Sequence, residues 1–347
     1  MDDLVYFYPE GHQAHYEPGH PERPERVEAI RQALQEAGWW EAYPSLPPLQ
    51  LSQAVLQGVH TPDYLAALRA ACQRGLHLDA DTYTTPASWD LALNAAGGAA
   101  ALATAVWRQQ ARRAFALTRP PGHHATPQRG MGFCLLNNVA LAAEHLLQTQ
   151  GARRLAIVDL DLHHGNGTQE VFYRRGEVFY LSTHQSPFYP GTGALTETGA
   201  GPGRNTTANF PLPPYSGDRA FRTIMERLIL PLLDWFAPQM LLVSVGFDPH
   251  WRDPLGYLQL SADVQRELIS SLARWADEHC QGRIALFLEG GYDLEAGTAC
   301  GLASVSALLD LPWTDPLGPS PQPEATAWQV IVERAQELWD LPDKSPN

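Results

Sequence analysis

The sequence predicts an α/β fold, a single domain with a mainly parallel central sheet flanked by helices. Short apolar runs alternate with longer amphipathic stretches along the chain, the pattern of strands joined by crossover helices. Five of the apolar runs are followed at once by polar or glycine-rich segments, at the strand ends where open α/β sheets gather their ligands. With 347 residues, 44% of them hydrophobic, the chain is long enough to bury one large core.

Taken in order, residues 4–8 read as a first buried strand, followed by helical stretches at 23–37 and 62–74. A helix over 88–109 is rich in Ala and Gly, which suits close packing. Strand 114–117 leads into Arg119-Pro120-Pro121-Gly122-His123-His124, and helix 137–149 follows. Strand 154–158 runs into Asp159-Leu160-Asp161-Leu162-His163-His164, with Gly165 ending the run. Strand 178–182 is followed by His184 and Pro190-Gly191-Thr192-Gly193. A helix over 218–236 precedes strand 240–245 and Gly246-Phe247-Asp248. Helix 262–279, strand 284–288, Glu289-Gly290-Gly291-Tyr292 and helix 295–308 complete the alternation. A Pro-rich tether over 311–323 docks a last amphipathic helix, 327–341, onto a single domain, 1–347.

Composition excludes some function classes. The net charge of −14, without a basic block, argues against nucleic-acid binding. Lys344 is the only lysine. Cys72, Cys134, Cys280 and Cys300 form no CxxC pair and read as reduced, mostly buried thiols of a cytoplasmic protein. Met1-Asp2-Asp3 lacks a basic n-region, so no signal peptide is expected. The most apolar stretch, 228–247, is broken by Pro231, Asp234 and Pro238, so no membrane span is expected.

Asp159, Asp161 and His163 sit two residues apart, so on a strand all three face the same way. Two carboxylates and an imidazole at a buried strand end are too costly to desolvate unpaired, and a divalent metal is the natural partner. Asp161, His163 and Asp248 make an oxygen-rich, three-ligand set with positions left open, which marks a catalytic rather than a structural metal. Such a metal polarises a carbonyl and acidifies bound water. Zn²⁺, Fe²⁺ and Co²⁺ all suit these donors. His123 and His124 are candidate acid and base groups, Asp159 an orienting carboxylate, and Tyr292 a hydroxyl donor to an oxyanion. Each residue alone is explained as well by capping or packing; the set carries the reading.

These residues together resemble the histone deacetylase superfamily, including its bacterial amidohydrolase, acetylpolyamine and acetoin-utilisation members. The matching segments are His20-Pro21-Glu22-Arg23-Pro24-Glu25-Arg26, Arg119 to His124, Gly132-Phe133-Cys134-Leu135-Leu136-Asn137-Asn138, Asp159 to Thr168, Gly246 to Asp248 and Glu289 to Tyr292, in family order. The resemblance implies an arginase-like fold and a zinc-dependent hydrolase of N-acyl-lysine or similar N-acyl amines. It implies Asp161, His163 and Asp248 as ligands, His123 and His124 as the pair that activates water and protonates the amine, Tyr292 as donor to the carbonyl, and Asp159 as support for His123. Asn166 matches the partner of the second histidine, as in class II-like members, where many others carry Asp. Such a neutral partner raises the pKa of His124 less than a carboxylate would.

Gly132, Phe133 and Tyr189 resemble the walls of an acyl-lysine tunnel, Leu255 its mouth, and Arg26 the arginine near an acetate-release pocket. A structural K⁺ or Na⁺ is implied at Asp159, Asp161, His163, Ser182 and Thr183. Leu255 stands where polyamine-selective members place a glutamate, and residues 75–87 are short for their entrance loop; Asp79 or Asp81 could supply charge instead. Substrates are therefore expected to be an acyl-lysine protein or peptide, or a small acylated amine. The alternatives are an acetylpolyamine amidohydrolase, a silent acyl-lysine-binding module, and a binuclear ureohydrolase, which the tandem histidines fit poorly. Oligomeric state is left open.

Overall fold

The computed structural model describes residues 1–342, so Lys344 lies outside the described residues. Seven strands form one sheet: β1 (Asp2–Phe7), β2 (Ala111–Ala116), β3 (Leu155–Asp159), β4 (Val178–Gln185), β5 (Thr207–Leu212), β6 (Leu241–Val245) and β7 (Ile284–Leu288). Their order is β1-β2-β7-β6-β3-β4-β5, and every neighbouring pair is parallel. From β3 the chain builds outward through β4 and β5, then returns to add β6 on the other flank of β3. That reversal opens a crevice beyond the carboxyl ends of β3 and β6, where doubly wound sheets bind ligands.

The helices are α1 (Glu25–Glu36), α2 (Gln53–Val59), α3 (Pro62–Arg74), α4 (Ser88–Trp107), α5 (Asn138–Thr149), α6 (Asn166–Phe172), α7 (Asp218–Ile224), α8 (Leu230–Phe236), α9 (Ala262–His279), α10 (Leu294–Leu309) and α11 (Trp328–Trp339). Several start where a side-chain oxygen takes a free backbone N–H: Ser52, Thr61, Asn137, Ser261 and Asp293 each accept from a residue in the first turn. Two apolar cores cover the two sheet faces. One joins the strands to α1 and α7–α11, with Trp328, Val332 and Ala335 docking α11; the other joins them to α2–α5.

Strand alternation explains how the polar residues reach one place. In β3, Ala156 and Val158 enter the first core while Leu155 and Ile157 enter the second. Leu160 and Leu162 continue the first set beyond the strand. Asp159, Asp161 and His163 therefore keep the opposite parity, although β3 ends at Asp159 and the other two lie on the loop. The expectation that Gly165 ends the strand is thus corrected: Gly165 precedes α6, and Asn166 opens that helix.

Other differences have local causes. β5 was not expected because Pro211 interrupts its pattern; it is an edge strand, where a missing N–H is tolerated. α2 and α6 are seven residues each and contain Gly58 and Gly167, which weaken a helical signal. The stretch 218–236 is interrupted by a π-helical turn, Met225–Ile229. His184 lies inside β4 and not beyond it. Among the described residues no helix is long and apolar enough to cross a membrane. All four cysteines are free and buried.

Candidate active site

Among the described residues, Asp161, His163 and Asp248 bring one ligand atom each within 4.8 Å of one another. His163 Nδ1 lies 3.3 Å from Asp161 Oδ1 and 3.1 Å from Asp248 Oδ2. Backbone donors aim both carboxylates: His163 N–H at 2.8 Å and Gly290 N–H at 2.8 Å on Asp161, Leu162 N–H at 3.0 Å on Asp248. Asp161 and Asp248 are buried, and 12% of the His163 side chain is exposed. Gly290 packs so closely that a Cβ there would strike Asp248 Oδ2. Two carboxylate oxygens and an imidazole nitrogen converging in this way fit a divalent ion such as Zn²⁺.

His123 and His124 sit on the loop after β2, ring centroids 4.0 Å apart. His123 Nδ1 donates to Asp159 Oδ2 at 3.1 Å, and its Nε2 lies 3.7 Å from Asp161 Oδ1. His124 Nδ1 bonds the amide oxygen of Asn166 at 2.8 Å. An amide oxygen only accepts, so Nδ1 carries the proton and Nε2 keeps its lone pair. The two rings are opposed electrostatically. Burial disfavours charge on both, but Asp161 and Asp159 outweigh it at His123 and bring that ring to about 10. Burial and the positive His123 hold His124 well below its ordinary value, against a weak pull from Asp161 and Asn166.

Several supporting residues were not singled out by the sequence. Tyr180 on β4 donates to Asp159 Oδ2 at 2.9 Å. Glu289 Oε2 accepts from the N–H groups of Gly122 at 2.6 Å and His123 at 3.1 Å, tying the histidine loop to the end of β7. Ser244 donates to its other oxygen at 3.0 Å. Burial lifts Glu289 to about 7, against the pull of His123. Glu289 stood inside a quoted motif without a role, and Tyr180 looked like any residue of an apolar strand.

Tyr292 follows the Gly290-Gly291 turn. Burial keeps its phenol protonated, well above its ordinary value, with Arg26 opposing. The Arg26 guanidinium lies 4.7 Å over the Tyr292 ring and donates to Gly291 O at 2.6 Å and Glu289 O at 2.5 Å. Arg26 therefore braces the turn that carries Tyr292. Asp253 Oδ2 takes the Tyr292 N–H at 2.6 Å, and Asp253 Oδ1 takes the Leu255 N–H at 2.9 Å. Leu255, half-buried, is thus tied to the same turn.

Gly132, Phe133 and Tyr189 gather at the outer side. Tyr189 meets His124 edge-on at 5.2 Å and His163 at 6.1 Å. Phe133 meets Tyr292 at 5.6 Å. Gly132, at φ 55°, lies against His124 and Tyr189 with no room for a Cβ. Asp159 pairs with Ser182 across β3 and β4, while Thr183 points to the other sheet face. A surface cavity of about 740 Å³ among Leu49, Leu56, Leu65, Trp89 and Leu93 contains none of these residues.

A family model for the histone deacetylase domain matches residues 20–308. A probable deacetylase of Archaeoglobus fulgidus is 41% identical over 312 residues, 88% of this chain and 87% of that protein. A histone deacetylase-like amidohydrolase of Pseudomonas aeruginosa is 37% identical over 294 residues, covering 84% and 77%. The crystal structure of the HDA15 HD domain superposes with a TM-score of 0.88 at 32% identity, over 98% of this chain and 97% of that one.

Proposed function

The chain belongs to the histone deacetylase family, and we propose on that premise that it is a zinc-dependent deacylase of N-acyl-lysine or a similar N-acyl amine. One observation carries the reading: three convergent ligand atoms lie against two histidines with opposed electrostatics. Asp161, His163 and Asp248 would hold the ion. When bound, it supplies a Lewis acid for water and the amide carbonyl, and draws negative charge from Asp161.

The chain's own residues do the rest. His124, with a free Nε2, takes a proton from water. His123, held charged by Asp159, hands a proton to the departing amine. Tyr292 donates its phenolic O–H to the carbonyl oxygen as negative charge develops there. Phe133 and Tyr189 hold the alkyl chain in a slot, with Gly132 giving it room. Leu255 flanks the mouth, and Arg26 keeps Tyr292 in place. The edge of β3 and β4 at Asp159, Asp161, His163, Ser182 and Thr183 is the proposed seat of a structural K⁺ or Na⁺.

A second reading, acetylpolyamine hydrolysis, is favoured by Asp81 and Asp79, which act on the Tyr189 phenol from the entrance loop. Steady-state assays with Zn²⁺, Fe²⁺ or Co²⁺ decide between them. The expected outcome is turnover of acetyl-lysine peptides with kcat/KM above that for acetylputrescine. A reversed preference supports the polyamine reading, and turnover of neither sinks both.

A further inference from the structure

A file of aromatic rings leads away from the ligand group. Phe188, half-buried, lies 5.6 Å from His163 between ring centroids. Tyr257 meets Phe188 edge-on at 6.0 Å, and Tyr215 follows at 6.3 Å from Tyr257. The two tyrosines are 54% and 46% exposed, and they stand as neighbours rather than singly. They come from segments beyond the carboxyl ends of β6 and β5, and Phe188 from beyond β4.

The backbone that carries the file is anchored by neutral groups. Tyr257 N–H donates to Gln185 Oε1 at 2.8 Å. Tyr215 N–H donates to Tyr257 O at 2.7 Å, and Tyr215 O accepts from Ala325 N–H at 2.8 Å. Tyr215 is held at φ 66°, a conformation that costs a bulky residue on the order of 1–3 kcal/mol and persists only where surroundings enforce it. Exposed tyrosines on an anchored backbone give large contact area from only two side-chain torsions, which is why binding surfaces favour them.

We infer that Phe188, Tyr257 and Tyr215 form a subsite for the polypeptide flanking an acyl-lysine. This rests on the deacylase reading above and deepens it, by naming a peptide or protein as the substrate class. A lysine side chain and a putrescine chain put the same length of alkyl between the acylated nitrogen and their far end. A short amine stops there. Only a polypeptide goes on from that point in two directions and can cover exposed rings that lie past Phe188.

The test pairs Y215A/Y257A with Y215F/Y257F, both altered at exposed side chains. The alanine pair should raise KM about tenfold for a peptide with residues on both sides of acetyl-lysine, at unchanged kcat. It should leave kcat/KM for acetylputrescine unchanged, and the phenylalanine pair should keep the wild-type peptide KM. An unchanged peptide KM in the alanine pair, or an equal loss on acetylputrescine, overturns the subsite. Fluorescence anisotropy of the labelled peptide reads the contact without turnover. Binding that weakens in the alanine pair, in a protein that does not deacetylate, keeps the subsite and refutes the deacylase reading; binding that does not weaken refutes the subsite.

Discussion

Two fully buried charge clusters stand side by side in this molecule, and they are balanced differently. In one, the Glu22 carboxylate is gripped by Arg119 at 2.8 Å and Arg26 at 3.1 Å, and Arg119 also donates to the His12 and His15 carbonyls at 2.6 and 2.7 Å. In the other, Asp159, Asp161, Asp248 and Glu289 lie together with imidazoles as their charged partners; the neighbouring Arg26 turns to the backbone oxygens of Gly291 and Glu289, and among the described residues no guanidinium bonds these four carboxylates. Burial pushes up both sets. Arg119 and Arg26 reverse that push and bring Glu22 down to about 2; in the second set burial keeps Asp159 and Asp248 above their ordinary values and Glu289 at about 7, and Asp161 alone is brought below its own, by His123 and His163. The carboxylate of the first cluster is more than neutralised, by two guanidiniums within the protein, and the cluster holds loops together. The second is short of positive charge, which is the electrostatic signature of a cation site.

The sharpest way to break this comparison is to remove one carboxylate from each cluster. Asp248→Asn should lower kcat/KM roughly 10³-fold, the rate equivalent of several kcal/mol of lost charge stabilisation. Its chelated form should unfold no more easily than chelated wild type, because one of several crowded like charges is gone. Glu22→Gln should do the reverse. Breaking a buried pair costs about 3–5 kcal/mol, read by urea unfolding, while metal stoichiometry stays at the wild-type value. The same contrast predicts an acid limb of stability. Glu22 is depressed from 4.5 to about 2 on folding, so its contribution is complete above pH 4.5 and is lost as pH falls toward 2. An Asn166→Asp substitution gives the smallest effect. A carboxylate beside His124 would favour its charged form, so the pH below which kcat/KM declines should move upward. An unmoved profile would mean that His124 does not act as the base.

Much of the second cluster was legible in the sequence, and little of the first. Asp161, His163 and Asp248 were readable because they stand at strand ends and their residue types have few uses when buried. The alternation through Leu160 and Leu162 held even past the end of β3, so the facing argument survived a wrong boundary. Glu22 and Arg119 are 97 positions apart, and nothing local says that two separate motifs meet as one ion pair. Tyr180 and Glu289 were hidden for a related reason: each looks like core or motif until the partner across the sheet is known. β5 was hidden by Pro211, since only its place at the sheet edge makes that residue tolerable.

The central claim is that the acid-rich cluster is completed by one divalent ion on which amide hydrolysis depends. Metal content and deacetylation should be measured together, on wild type and on Asp161→Asn, after chelation and titration with Zn²⁺. The account predicts one zinc ion per chain in wild type, with turnover of an acetyl-lysine peptide rising in step with occupancy, and loss of both in Asp161→Asn. Full turnover without bound divalent metal, or two zinc ions per chain at saturation, would contradict it.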